Sequence, residues 1–283
     1  MARHGKALLR KLLHFMKWIP TSSKLLYPFW LSAQLDTVAE EAAFDNLPEA
    51  FDDFVIAYAS DIHFGAFFDT GRAAELVIRL NAMNADVIIL GGDYGETART
   101  GTEFFTVIPA LAAKQGVYAV IGNHDLLGSP EEIRTLEAEI ASRGICLLKN
   151  SCVSLEKEGD AICLCATDDI LEGKPLFDSI LPAVRDAKFT IFVPHSPDIL
   201  PQAEKAEGFR FDLALCGHTH GGQLVIAGHS LHSSSAYGDT YARGWMEVHG
   251  GRLMVSHGVG TSLMPVRLGV RPQIHKITLR KAR

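Results

Sequence analysis

Residues 117–125 have the sequence VYAVIGNHD, an apolar run that ends in glycine followed by asparagine, histidine and aspartate. The same design recurs at residues 54–63, FVIAYASDIH, and at residues 87–93, VIILGGD. Each apolar run has the length and composition of a buried strand, and each polar cluster follows where that strand would end. Helical periodicity follows each of the three, over residues 70–81, 102–113 and 130–143. This alternation predicts βαβ units with buried parallel strands, and therefore an α/β fold.

The second half of the chain repeats the pattern with more β character. An apolar run over 189–193 ends at Pro194-His195, and another over 213–216 ends at Gly217-His218-Thr219-His220. Further short strands are predicted at residues 145–148, 151–155, 161–166, 245–248, 252–256 and 274–279, the last three antiparallel. Ligands of open α/β sheets bind outside the carboxyl ends of strands. We therefore expect all five polar clusters to converge.

The five clusters contain the side chains that divalent metals without thiolate ligands prefer, namely carboxylate, imidazole and amide oxygen. One metal is predicted at Asp61, His63, Asp93 and His220, and a second at Asp93, Asn123, His195 and His218, with Asp93 bridging. Two divalent ions bring four positive charges and the two aspartates cancel two, so the site favours an anionic substrate. Metals about 3.5–4 Å apart would stabilise the attacking and leaving oxygens of a phosphoester and supply a bridging hydroxide.

His124 lies beside a predicted ligand but is not needed as one. It is the candidate catalytic residue, either protonating the leaving group or stabilising phosphoryl charge. The neighbouring Asp125 could orient a histidine or cap a turn, and both roles stay open.

Other side chains are candidates for substrate contacts. Phe67 and Phe68 follow the first cluster, where they could form an apolar wall for a lipid tail or pack on the core, and packing is slightly favoured. Tyr237, Arg243 and Arg267 are candidates for contacts to an anionic or nucleotide headgroup.

Together the five clusters resemble, in order and spacing over residues 54–280, the signature of the calcineurin-like metallophosphoesterases. The resemblance implies a β-sandwich flanked by helices, in four α/β/β/α layers, and a two-metal phosphoesterase with the metal ligands given above. Manganese is the favoured metal, and iron, zinc and magnesium are compatible with the same ligands. Glu96 stands where many members have aspartate, and Asp125 stands where protein phosphatases have glutamate, which counts against a protein phosphatase.

Residues 217–223 and 258–267 resemble the YaeI/YkuE-like bacterial branch of that family. The branch implies a membrane-associated enzyme that cleaves a phosphodiester or pyrophosphate bond, with a lipid-linked substrate such as UDP-2,3-diacylglucosamine of lipid A synthesis. Two alternatives stay open. One is a broad-specificity phosphodiesterase or phosphatase acting on envelope or nucleotide substrates, and the other is a catalytically silent binding scaffold.

The N-terminus differs in composition from the rest of the chain. Residues 1–19 carry five Lys or Arg and no acid, opposite a leucine-rich stripe at helical spacing. The charges interrupt the apolar run too often for a membrane span. A basic amphipathic helix lying on an anionic membrane is therefore predicted. A helix docked on the domain's own surface stays an alternative, and a signal peptide is less favoured.

Residues 20–53, with several prolines and an acidic stretch, are interpreted as a linker and approach segment, and residues 54–283 as the catalytic domain. The net charge of −6 lacks the basic surplus that nucleic-acid binding requires. Five cysteines, an odd number without metal-site spacing, indicate free thiols in a reducing compartment. We therefore predict a cytoplasmic protein, peripheral to the inner face of the membrane, with export less favoured. The sequence leaves the oligomeric state open.

Overall fold

Two six-stranded sheets face each other, with helices on both outer surfaces, in a computed structural model that describes Met16, residues 19–248 and residues 250–282. The strands of the first sheet lie in the order 36–44, 273–281, 55–59, 87–90, 117–120 and 146–148. Those of the second lie in the order 244–248, 251–255, 213–216, 190–192, 160–166 and 151–157, and residues 225–226 and 229–230 form a separate hairpin. The predicted four-layer α/β/β/α fold is confirmed.

Five strands of the first sheet precede the second sheet in sequence. They are β1 (Asp36–Phe44), β2 (Val55–Ala59), β3 (Val87–Leu90), β4 (Val117–Val120) and β5 (Cys146–Leu148). The remaining strands are β6 (Ser151–Lys157), β7 (Asp160–Ala166), β8 (Thr190–Phe192), β9 (Leu213–Cys216), β10 (Val225–Ile226), β11 (His229–Ser230), β12 (Gly244–Val248), β13 (Gly251–Val255) and β14 (Gln273–Lys281). The helices are α1 (Tyr27–Ser32), α2 (Thr70–Ala82), α3 (Ala98–Val107), α4 (Pro130–Ser142), α5 (Phe177–Asp186) and α6 (Leu200–Lys205).

Strand β2 shows why the central strands have uninterrupted apolar sequences. Ile56 and Tyr58 pack between the two sheets, whereas Ala57 and Ala59 pack against the helices. Successive side chains of a strand point to opposite faces, and here both faces are covered. The parallel pairs β2–β3, β3–β4 and β4–β5 then bring the carboxyl ends of these strands to one edge.

The tail strands are only partly antiparallel. Strand β12 pairs antiparallel with β13, and β14 pairs antiparallel with β2. Strand β13 also runs parallel to β9, and β14 runs parallel to β1.

The prediction of a linker over residues 20–53 is wrong for most of its length. Strand β1 pairs along its whole length with β14, and Leu31, Leu47 and Phe51 are buried. Three of the seven acidic residues between Asp36 and Asp53 lie on the edge strand β1, where charges are common because they discourage pairing with another chain. The folded domain therefore begins well before residue 54.

The helix predicted over residues 102–113 is shifted toward the N-terminus. Helix α3 begins after Thr97, whose side chain accepts a hydrogen bond from the Thr100 N–H. It ends at Val107 because Ile108 precedes a proline and adopts an extended backbone, as residues before proline prefer.

The helix predicted over residues 1–19 lies outside the described residues, apart from Met16 and Ile19. Among the residues that are described, no helix combines the length and apolar character needed to cross a membrane.

Candidate metal centre and active site

The five polar clusters converge at the edge formed by the carboxyl ends of the strands. Ligand atoms of Asp61, His63 and His220 lie within 4.8 Å of one another, and so do those of Asp93, His195 and His218. The Asn123 Oδ1 is 3.0 Å from His218 Nδ1, which adds it to the second group. The structure thus brings together all seven predicted ligands in the two predicted sets.

Asp93 lies between the two groups. One of its carboxylate oxygens, Oδ2, is 3.6 Å from His63 Nε2 and 3.3 Å from His195 Nε2. A carboxylate that faces a histidine of each group has the position that a bridging ligand requires. Burial by itself would raise the pKa of Asp93, but the facing His195 and His63 rings outweigh burial and hold it well below its ordinary value.

The backbone at these positions is unusual. Asp61, His63, Asp93, His218 and His220 all have positive φ, between 49° and 69°. This left-handed region is uncommon for residues other than glycine and costs on the order of 1 kcal/mol or more at each position. Such strain persists only where the surrounding structure holds it, and it is concentrated here on predicted ligands.

The orientation of the imidazole rings fits a divalent cation. His195 Nδ1 lies 2.7 Å from the Gly91 carbonyl, so it carries the ring proton and leaves the lone pair of Nε2 facing Asp93. That buried Nε2 has no hydrogen-bond partner among the described residues. His63 Nε2 and His220 Nε2 face each other at 3.0 Å. A buried ring nitrogen that faces a carboxylate, with the second ring nitrogen held by a carbonyl as in His195, is the arrangement of metal-binding histidines.

Two positions in the clusters require glycine because a carboxylate of another cluster lies very close to the backbone there. A Cβ at Gly122 would overlap Asp93 Oδ1, and a Cβ at Gly217 would overlap Asp61 Oδ2. The glycine in each cluster therefore makes room for the carboxylate of another cluster.

Asp125 joins the two loops that carry the predicted ligands Asp93 and Asn123. Its two carboxylate oxygens accept hydrogen bonds from the backbone N–H groups of Asp93, Tyr94 and Gly122, at 2.8, 2.9 and 2.9 Å. Burial, followed by the charge of Asp93, raises the pKa of Asp125 to about 7. Of the two roles left open by the sequence, the structure shows the capping of a turn, since these bonds join the clusters at residues 92–93 and 122–125.

His124 lies at the mouth of the site, half-buried, with its ring centroid 4.7 Å from that of His63. A ring nitrogen of His124 is within 4.8 Å of ligand atoms of His63 and Asp93. The His124 Nδ1 is 3.1 Å from the carbonyl of Glu96. When Nδ1 donates to that carbonyl, Nε2 is left to hold or release a proton toward a bound substrate.

Glu96 is a site residue to which the sequence assigned no role. Its Oε1 is 3.3 Å from His63 Nδ1, and its Oε2 is 3.8 Å from His124 Nδ1. The available signal was its position three residues after Asp93, where many family members have aspartate. The longer glutamate side chain reaches both histidines.

The predicted substrate contacts are mostly not confirmed by their positions. Phe68 is buried in the core beneath the helices, under the guanidinium of Arg72, and Phe67 is half-buried. Packing therefore accounts for Phe68, and the apolar wall is wrong for it because its ring is covered.

One of the predicted headgroup contacts is corrected. Arg267 is fully buried and donates to the backbone carbonyls of His220, His257, Gly258 and Gly260. Arg243 donates to Gly221 O, Gly228 O and Ser230 Oγ. The buried Arg267 guanidinium is therefore unavailable to a headgroup, whereas Arg243 is half-buried and its contact with a headgroup stays a prediction. Tyr237 is exposed, and its contact with substrate stays a prediction.

The match of the sequence to a family model identifies the family to which this site belongs. The family model described as calcineurin-like phosphoesterase matches residues 54–222. The chain belongs to this family of metallophosphoesterases.

Several bacterial relatives share most of their length with the chain. It is 28% identical to the uncharacterized metallophosphoesterase YkuE of Bacillus subtilis, over 83% of this chain and 82% of the relative. It is 27% identical to the phosphodiesterase YaeI of Escherichia coli, over 80% and 82%. Among solved structures, the sulfate thiohydrolase SoxB of Thermus thermophilus matches with a TM-score of 0.49 and 12% identity, over 83% of this chain and 57% of that one.

The family and the site together define a metal-dependent hydrolase of phosphoric esters. The ligand set supports a binuclear divalent metal centre, as the sequence predicted. The assignment of individual ligands and the identity of the metal stay predictions.

Proposed function

We propose that this enzyme hydrolyses a phosphodiester or pyrophosphate bond in a lipid-linked substrate at a membrane surface, with manganese as its metal. The observation that carries the proposal is the composition of the site: two carboxylates among seven predicted ligands. Two divalent ions held there would retain net positive charge, which matches a substrate with negatively charged phosphoryl oxygens.

The chemistry divides between the metals and this chain's own residues. Two bound divalent ions would lower the pKa of water and neutralise phosphoryl charge. Asp61, His63, Asp93 and His220 would hold one ion, and Asp93, Asn123, His195 and His218 the other. His124 would then donate a proton to the leaving oxygen, with its ring positioned through Nδ1 by the Glu96 carbonyl.

Three observations support the choice of bond and location. The relative YaeI is named a phosphodiesterase, and the similarity to it covers 80% of this chain. The basic sequence of residues 1–19 supports contact with anionic lipid. All five cysteines are free, which supports a reducing compartment and hence the cytoplasmic side of the membrane. UDP-2,3-diacylglucosamine combines a pyrophosphate bond with acyl chains, and it is the specific substrate we propose.

A substrate panel tests the proposal. The manganese-loaded protein is given UDP-2,3-diacylglucosamine in detergent micelles, a soluble aryl phosphodiester and the matching aryl phosphomonoester. We expect hydrolysis of the lipid substrate and of the diester to exceed that of the monoester. Exclusive hydrolysis of the monoester would contradict the proposal. Cleavage of the diester without cleavage of the lipid substrate would favour the broad-specificity phosphodiesterase instead.

A further inference from the structure

We infer that an apolar rim beside the metal centre docks on an anionic lipid bilayer, so that the site opens against the membrane surface. The docking rim consists of residues 24–30, in and before α1, and of the loop at residues 262–266. The consequence of docking, delivery of a lipid-linked substrate to the site, rests on the proposed function. Binding of the rim to a bilayer can be measured independently of that function.

The first observation is the apolar exposure of the docking rim. Leu25 is 95% exposed and Leu263 is 72% exposed, and Leu26, Tyr27 and Met264 are also exposed. Isolated surface leucines need no explanation, but a contiguous apolar patch on a globular protein marks an interaction site.

Hydrogen bonds join the two halves of the docking rim. The Arg267 N–H donates to Pro28 O at 2.9 Å, and Ser32 Oγ donates to Pro265 O at 3.1 Å. These bonds hold α1 against the loop, so the exposed leucines on both segments belong to one surface. Tyr27 and Trp30 lie 5.8 Å apart, and the Lys24 ammonium is 5.3 Å from the Trp30 ring. Aromatic rings beside lysine are typical of the interface between a membrane and water.

The loop is also held to the metal centre. Gln223 follows the cluster that contains His218 and His220, and its side chain accepts from the Ser262 N–H at 2.9 Å. Its Nε2 donates to Ser262 O and Met264 O, at 2.9 and 3.3 Å. The docking rim is therefore attached to the predicted metal ligands by one side chain, and a surface that covers the rim would lie at the border of the site.

The backbone of Leu263 supports a role for its exposure. Its φ of 63° lies in the left-handed region, which is unfavourable for leucine. The loop accepts this strain while its side chain gains little burial. Strained residues of this kind are concentrated at functional surfaces.

The distribution of acidic residues favours an anionic partner. None of the chain's 33 Asp and Glu residues lies within residues 1–35, 213–238 or 248–283. These three segments include both parts of the docking rim, the second-sheet ligands His218 and His220, and the basic N-terminal sequence. In a chain with a net charge of −6, both segments of the docking rim therefore lack carboxylates of their own. Asp36 borders the first acid-free segment but pairs with Arg271 at 3.3 Å.

A bilayer fits these features better than the other occupants. A second copy of this acidic protein would offer an acidic surface to the rim. A dimer would nevertheless leave the five cations of residues 1–19 without a role. In sequence, the last of those cations, Lys17, stands seven residues before the start of the docking rim. Apolar side chains that insert below headgroups, with cations beside them, are the features of peripheral membrane binding.

Vesicle sedimentation tests the docking directly. The full chain is mixed with vesicles of phosphatidylcholine alone or of equimolar phosphatidylcholine and phosphatidylglycerol. We expect binding to the anionic vesicles only. The double variant Leu25→Ser, Leu263→Ser should need about tenfold more lipid for equal binding, because each leucine loses apolar area that the bilayer would bury. Its hydrolysis of a soluble aryl phosphodiester should be unchanged, which shows that the site is intact.

The matched control is Leu171→Ser, an exposed leucine between Asp169 and Glu172 and outside the three acid-free segments. It should bind vesicles as the unaltered protein does, and an equal loss there would overturn the inference. Failure of the full chain to bind anionic vesicles would also overturn it.

Two further outcomes would contradict docking of the rim. If vesicle binding is lost on removal of residues 1–18 and is unchanged in the double variant, residues 1–18 alone bind the membrane and the inference is wrong. A lower molecular mass of the double variant with unchanged vesicle binding would identify a second copy instead. Vesicle binding as expected, in a protein that hydrolyses no phosphodiester, would reject the proposed function and leave the docking in place.

Discussion

The two sheets contribute different chemistry to the same site. The ends of β2, β3 and β4 in the first sheet carry Asp61, His63, Asp93 and Asn123, and therefore all of the carboxylate charge. The ends of β8 and β9 in the second sheet carry only imidazoles, those of His195, His218 and His220. The first sheet thus sets the charge of the centre, and the second adds ligands without reducing its attraction for an anion.

Hydrogen bonds between the two sheets orient the predicted ligands. The His218 N–H, from the second sheet, donates to Asp61 Oδ1 at 2.8 Å. The His195 ring, also from the second sheet, is held by Gly91 O of the first. Each sheet therefore orients ligands of the other, and the site forms only when both sheets are packed together.

The largest expected effect is the loss of the negative charge of Asp93, which we compare with the loss of a neutral ligand, His195. Asp93→Asn should lower phosphodiesterase activity by at least about a thousandfold, because it removes the charge of the predicted bridging ligand. His195→Ala, which removes a neutral ligand from the second sheet, should cost about a hundredfold and weaken binding of the metal. Steady-state kinetics at saturating manganese, with the metal content measured, would distinguish them.

Asp86→Asn is the matched control for Asp93→Asn. Asp86 is also a buried aspartate of the first sheet, but it accepts from the Val55 N–H and pairs with Lys114 away from the site. It should lower stability and spare the turnover of the folded enzyme. An equal or larger loss in His195→Ala than in Asp93→Asn would break the contrast between the two sheets.

His124→Asn tests the proton donor on the first-sheet side. The loss should be about a hundredfold for an alkyl phosphodiester, whose leaving oxygen needs a proton, and much smaller for a nitrophenyl diester. The ratio of kcat/KM for the two substrates is the measurement. A loss independent of the leaving group would assign His124 to stabilisation of phosphoryl charge.

Gly122→Ala tests how closely the clusters approach. The new methyl group would displace the Asp93 carboxylate, and activity should fall by about 10- to 100-fold with weaker metal binding. The control is Gly71→Ala in α2, where the nearest atom to a Cβ lies at an ordinary contact distance of 3.4 Å. Normal metal affinity in Gly122→Ala would show that the loop relaxes and that the approach is not required.

Glu96→Gln should have the smallest effect. The change keeps the carbonyl that holds His124 and removes the carboxylate charge next to His63 Nδ1. We expect manganese affinity to fall about tenfold while kcat at saturating metal is retained. Metal titration followed by activity checks this, and a fall in kcat alone would place Glu96 in proton transfer.

Local sequence patterns predicted a set of ligands that the structure brings together, but they missed several secondary-structure elements. Helix α5 was not predicted, and its sequence contains Pro182, which is unfavourable inside a helix. Burial of Phe177, Ile180 and Val184 against the second sheet outweighs that cost. Strand β1 was missed because its partner, β14, lies at the other end of the chain.

The sequence by itself determined the family, the fold class and the set of predicted metal ligands. It could do so because each predicted ligand follows closely after the end of a strand, so that ligand chemistry and position are both local. The tertiary structure alone decided that Asp125 caps a turn, that Arg267 and Phe68 are buried, and that Glu96 reaches two histidines. These roles depend on which distant segments pack together, since a guanidinium or a carboxylate has the same appearance in sequence whether it meets a substrate or a backbone.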